Sequence, residues 1–538
     1  MTHSDPGRSG QMAFDGYDIA SWLVDLAQRR GAHPFLIWSP FEGEPNVLSY
    51  SEFLERVRHL AGGLQRAGVG VGDRVLVHLD NCPETLLVRF ACAWIGAVCV
   101  ATNSGASSEE LSFFAESSAA TCAITQERFL SLVNTACPLM RWIAVTDAAG
   151  MEQSESRYKA FSELYGEPAD LRPADPCAEA SVLYTTGSTA RPKGVVWTHA
   201  NVLWGARLNA QQQGLSPEDV HLLFLPLFHV VGLSWAFFST MWVGGTVVLQ
   251  PRFSKSRFWP VAQMYRATVS SHVNFTTTVL AQQTVPQHFF RTWVTARYDR
   301  TQEQKFGVSM VAGWGMTELV TQVVVASPYA PTVHGGIGRP SLGYVVRIEN
   351  DMRVLVRSGE AGHLVVRGVP GLSIFKCYEG DPGSTETAFD EDGFFMTGDR
   401  VRLFEDGSIS FEDRLKDVIK VGGENVSALE VEQFIAKLPG VREVAVVARP
   451  HSVYGETVVA FVVPADRNST HSLPTSVAAA CAGGLARFKV PAAIRVIDEL
   501  PRIGVGKVAK TTLREIAKAD VGDAMPQGIR IPTSALDA

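Results

Sequence analysis

The sequence predicts an α/β protein, with a large N-terminal layered α/β domain of mainly parallel sheets and a small α+β C-terminal domain. Three observations predict it. From Tyr17 to about Thr125, helix-period stretches such as "SEFLERVRHLAGGLQRAG" alternate with short β-rich runs such as "RVLVHL" and "AVCVAT", the rhythm of parallel strands joined by crossover helices. The same rhythm returns at "GTVVLQ", "FGVSMVAGWG" and "GHLVVRG". It then changes: "SISFE", "SALEVEQFIAKL", "VREVAVVARP" and "VVAFVVPA" read as strand, helix, strand, strand, a compact closing unit.

In chain order, "MTHSDPGRSGQMAFDG" has no apolar core after a basic start, so no secretory signal is evident. Gly68 closes the first long helix. Val231 to Leu249 carries no charge over almost the ~20 residues that span a bilayer, but Gly244-Gly245 splits it into a buried helix and a buried strand. The charged run Glu412 to Asp417 divides the chain into residues 1–413 and 417–538 and suits a hinge at 414–416. Ser427 then opens an amphipathic helix as its N-cap. No internal repeat is found.

At 538 residues the chain exceeds one ordinary core. Its 48 basic and 55 acidic side chains give a net charge of −7, which attracts neither nucleic acid nor anionic lipid. A polyanion would have to be held locally. The eight cysteines form no Cys-x-x-Cys pair, predicting buried reduced thiols and a cytoplasmic protein.

The stretch "YTTGSTARPKG" supplies that local site. The hydroxyls of Thr185, Thr186, Ser188 and Thr189 donate to anionic oxygens, Gly187 allows close backbone approach, and Lys193 adds a cation. The spacing is not that of the Gly-x-x-x-x-Gly-Lys P-loop. A bland alternative is an ordinary polar surface loop.

With four further segments in matching order, "GWGMTEL", "FFMTGD", "DRLKD" and "LPRIGVGKVAK", the chain resembles the adenylate-forming superfamily of acyl-CoA synthetases, adenylation domains and luciferases. The local text is most similar to the crotonobetaine/carnitine-CoA ligase branch, while "LPLFHVVGL" also resembles aryl-CoA ligases. The resemblance implies that Thr185 to Thr189 and Lys193 hold the phosphates of ATP, and that Trp314 and Gly315 lie beside the adenylate. It further implies that Thr317 contacts phosphate, that Glu318 holds Mg²⁺, and that Asp399 and Arg414 take the ribose. Lys416 falls at the hinge and Lys507 becomes a mobile catalytic lysine between Gly504 and Gly506. Gly422 and Gly423 would line a channel for CoA, and Phe228, His229 and Val231, with Phe275 to Thr278, an acyl pocket. Two departures stand out: Ala190 replaces a usual glycine, and the shortened 279–312 region leaves Thr295, Ala296 and Arg297 as the nearest adenine-side candidates.

The implied activity is ATP-dependent acyl-CoA synthesis through an acyl-AMP, with a mobile small domain serving both steps. Its partners are a small-molecule carboxylic acid, ATP and CoA, with no nucleic acid and no transmembrane segment; a homo-oligomer stays open. Alternatives are loading of a carrier protein, a catalytically silent nucleotide-binding homologue, and a luciferase-like oxygenase.

Overall fold

The computed structural model describes residues 13–148, 157–185, 192–327, 332–414, 418–466, 472–503 and 507–519. Helices start where short polar side chains cap them. Ser49 accepts from the Glu52 amide and the Glu52 carboxylate accepts from the Ser49 amide at 2.8 Å, a capping box that opens the helix Tyr50–Arg66. That helix ends at Ala67, with Gly68 in the left-handed region at φ +82°. The helix Pro83–Ile95 begins on a proline and is buried over nearly its whole surface. A helix apolar all round needs partners on both sides. It packs on the strands Val98–Ala101 and Glu179–Thr185, while Phe90 meets Phe237 and Phe238 at 6.3 Å.

Among the described residues, two sheets enclose this core. The eight-stranded one runs Cys377–Tyr378, Lys193–Thr198, Glu179–Thr185, Val98–Ala101, Arg74–His78, Cys122–Thr125, Trp142–Val145, Tyr158–Ala160. From Glu179–Thr185 onward its pairings are parallel. The thirteen-stranded sheet is parallel from Pro34–Trp38 to Ser309–Trp314. Beyond that strand it becomes an antiparallel ladder through Val324–Val325, Gly336–Pro340, Ile409–Arg414, Phe395–Leu403, Ala361–Arg367 and Val345–Glu349. The change has a simple cause: after residue 313 most connections are too short to carry crossover helices, so neighbouring strands return antiparallel.

A separate five-stranded sheet is built from Val418–Val421, Glu424–Ser427, Val441–His451, Gly455–Pro464 and Ala493–Val496. Apolar clusters lie on both of its faces. Ser427 caps the helix Ala428–Ala436 by accepting from the Glu430 amide. The uncharged stretch from Val231 is a wide π-helix, Val231–Phe238, a helical turn Ser239–Trp242, and the core strand Thr246–Leu249. Among the described residues, no helix is long and apolar enough to cross a membrane. All eight cysteines are free thiols, six of them buried.

Candidate active site

Residues at or beyond the ends of parallel strands of both sheets line one cleft: Ala101 and Thr185 in one, and in the other Phe228 and His229 after Val220–Leu223 and Thr317 after Ser309–Trp314, the place where open α/β sheets take ligands. Thr185 ends its strand, pairs in register with Lys193, and donates from Oγ1 to the Lys193 carbonyl at 3.5 Å. Trp314 ends the strand Ser309–Trp314, and the turn Thr317–Leu319 follows. The Thr317 carbonyl accepts from the Trp197 indole at 2.9 Å. Thr185, Thr317, Phe228 and His229 line a common cleft. Gly315 must be glycine, since a Cβ would meet the Thr321 carbonyl oxygen at 2.1 Å. Val320, buried, sits at φ +64° with its carbonyl held by the Ser234 hydroxyl at 2.8 Å. For a β-branched residue this is strain stored beside the site.

Two of the expected nucleotide residues touch. The Trp314 indole donates to Asp399 Oδ2 at 2.8 Å, and Asp399 is 1% exposed. Register places Asp399 directly opposite Arg414 on the neighbouring strand. Trp314→Phe removes the donor and costs the buried carboxylate about 1–3 kcal/mol. The KM for ATP should rise about tenfold, with little change in KM for the acid, measured by initial-rate kinetics.

Glu318 is 5% exposed, and its Oε1 accepts from the Tyr378 hydroxyl at 2.9 Å. Burial, then the Glu318 charge, pushes the Tyr378 hydroxyl far above its ordinary pKa, so it stays a donor. The Lys193 ammonium lies 4.5 Å from the centre of the Tyr378 ring, a cation–π contact that ties the expected phosphate lysine to the expected metal carboxylate. Among the described residues there is no cluster of three His, Cys, Asp or Glu side chains that could hold a metal. A single buried carboxylate fits Mg²⁺ carried largely by substrate phosphates and water.

The small domain closes the cleft. Gly422 and Gly423 are the two central residues of a hairpin, at φ +59° and +99°, joining Val418–Val421 to Glu424–Ser427. Positive φ at both positions favours glycine, most strongly at Gly423. A Cβ on Gly423 would come within 3.3 Å of Val273 of the large domain. Glu424 and Asn425 line the cleft. The Glu424 Oε2 lies 3.0 Å from His229 Nε2 and accepts from the Asn103 amide at 3.2 Å. Phe275 stacks on Tyr454 at 5.8 Å.

Other expected positions lie elsewhere. Val231 starts the π-helix and is half-buried. The Arg297 guanidinium sits 5.8 Å over the Phe411 ring, and Thr295 donates to its carbonyl at 2.9 Å. Lys507 stands in a two-stranded ribbon, Arg502–Ile503 with Lys507–Val508. Thr186, Gly187, Ser188, Thr189, Ala190, Lys416, Gly504 and Gly506 lie outside the described residues.

Residues 23–379 match the family model described as AMP-binding enzyme, and residues 430–507 the one described as AMP-binding enzyme C-terminal domain. The chain belongs to the AMP-binding enzyme family. The crotonobetaine/carnitine–CoA ligase of Citrobacter koseri is 32% identical over 522 residues, 93% of this chain and 99% of that protein. A double mutant of Bacillus subtilis o-succinylbenzoate CoA synthetase, bound with its product analogue OSB-NCoA, superposes with a TM-score of 0.81 at 26% identity, covering 92% of this chain and 98% of that one. The same synthetase in complex with AMP gives 0.66 at the same identity and coverage. Tyr378, Trp197 and Asn103 join the candidate site without having been singled out in the sequence. Tyr378 had no local signal, since its partner is 60 residues away.

Proposed function

We propose that the protein is an ATP-dependent, AMP-forming acyl-CoA synthetase, coupling a small-molecule carboxylic acid to AMP and then to the thiol of CoA. One observation carries the reading: Thr185 and Thr317 share a cleft with Glu424 and Asn425, so phosphate-side and hairpin groups face one space. A carboxylate acylates poorly because oxide is its leaving group. Its attack on the α-phosphorus of ATP expels pyrophosphate and leaves a mixed anhydride, which a thiol opens with AMP departing.

Thr185, Thr317 and Lys193 orient and offset phosphate charge, and Asp399, steadied by Trp314, takes the ribose hydroxyls. Glu318 would hold Mg²⁺, whose charge stabilises the phosphoryl oxygens when bound. Phe228 and His229 stand at the acyl end, and Gly422-Gly423 leave backbone-only width for a pantetheine arm. Residues 414–416 act as the hinge between the domains 1–413 and 417–538. The higher score to the product-analogue complex than to the AMP complex, at equal identity, supports an arrangement poised for thioester formation.

The test is a panel of carboxylic acids scored for pyrophosphate release with and without CoA. Release that consumes CoA and yields a thioester supports the proposal; release indifferent to CoA redirects it to another acceptor. Glu318→Gln keeps an acceptor for Tyr378 and deletes the charge. Pyrophosphate release at limiting Mg²⁺ should fall about 10–100-fold, with partial recovery as Mg²⁺ is raised, and Tyr378→Phe should fall less. Unaltered Mg²⁺ dependence in Glu318→Gln would remove that carboxylate from the metal role.

A further inference from the structure

Lys489 lies in the short turn Arg487–Lys489 of the small domain with its side chain 1% exposed. An ammonium is buried so deeply only when opposite charge answers it. Two carboxylates do so: Glu430, at 2.8 Å, from the small domain, and Glu110 from the large one. Each is the third residue of its helix, Ala428–Ala436 and Ser108–Ser117. Glu110 is itself fixed, because its second oxygen accepts from the Ser107 amide at 2.8 Å and completes a capping box. Burial lowers the Lys489 pKa, but the facing carboxylates outweigh it and hold the ammonium above its ordinary value.

The two partners differ in what a domain rotation does to them. Glu430 travels with Lys489; Glu110 does not. The Lys489–Glu110 pair therefore belongs to one domain arrangement, the same one in which Glu424 meets His229 and Asn103. Those contacts are half-exposed and weakened by solvent, whereas the lysine pair is shielded.

We propose that Glu110 and Lys489 are positioning residues for thioester formation: their buried ion pair locks the small domain where it presents Glu424 and Asn425 to the cleft. The inference rests on the acyl-CoA synthetase reading above. Glu110→Gln is the cleaner probe, because Lys489 keeps Glu430 and the small domain keeps its fold. ATP–pyrophosphate exchange should stay within about twofold of the parent, while transfer of a supplied acyl-adenylate to CoA falls about tenfold or more. Lys489→Met should show the same split, and the double variant should be no worse than the weaker single, as for two residues acting as a unit.

A second measurement does not need turnover. Spin labels at exposed positions Leu139 and Lys437, one on each domain, should report a shifted distance distribution in Glu110→Gln. An unaltered transfer rate overturns the proposal, as does an equal fall in both half-reactions. Should the parent show no exchange with any acid, the synthetase reading fails by itself; the label distances then decide the lock, and unshifted distances overturn it.

Discussion

Replacing Lys507 with alanine is expected to lower adenylate formation about a thousandfold while leaving transfer of a supplied acyl-adenylate to CoA within about twofold of the parent. The reason is geometric as well as electrostatic. In this domain arrangement the small-domain wall of the cleft includes Glu424 and Asn425 after the Gly422-Gly423 turn. Lys507 stands on the separate ribbon it forms with Ile503. On the proposed reading, one face of the small domain serves thiol transfer, and the domain turns to deliver the lysine for adenylation. Pre-steady-state pyrophosphate release and single-turnover transfer measure the two steps separately. Equal losses in both would contradict a division of labour between faces.

Acid should destabilise the large domain steeply, by at least about 6 kcal/mol between pH 7 and pH 5. Three buried histidines, His78, His221 and His272, account for that much, and His199, which burial also lowers to about 4, adds in the same direction. Burial lowers His78 to about 4, and His221 and His272 to about 3; the nearby Arg128 cation adds at His78, whereas at His221 the Asp219 carboxylate opposes burial and Arg291 partly offsets it. A base whose pKa is depressed on folding binds its proton more readily when unfolded. The stability is therefore fully present above the unfolded value near 6.5 and is lost as pH falls toward 4 and 3. At pH 5 each group forfeits about 2 kcal/mol. All 11 tryptophans precede residue 315, so tryptophan fluorescence in urea reports this domain alone. A urea midpoint that is the same at pH 7 and pH 5 would falsify the assignment of these three histidines as neutral core groups.

The contrast between the two predictions shows where sequence is informative. The proposed phosphate stretch could be singled out in the sequence because its chemistry is contiguous: hydroxyls, glycine and lysine within a few residues. The N-cap at Ser427 was equally local. His221 and His272 carried no such mark, since a histidine in a strand reads the same whether it faces water or a core. The antiparallel ladder beyond Trp314 was also hidden, because short β-rich runs do not state which neighbour they will pair with.

The sequence by itself determined the order of the motifs, the helix and strand periods, and hence the family. Tertiary structure decided which side chains meet: Trp314 with Asp399 across 85 residues, His229 with Glu424 across 195, and Lys489 with Glu110 across 379. The physical reason is that motif chemistry depends on atoms a few bonds apart. Contacts between distant segments depend on strand order and on the angle of one domain against the other, which no local run of residues encodes.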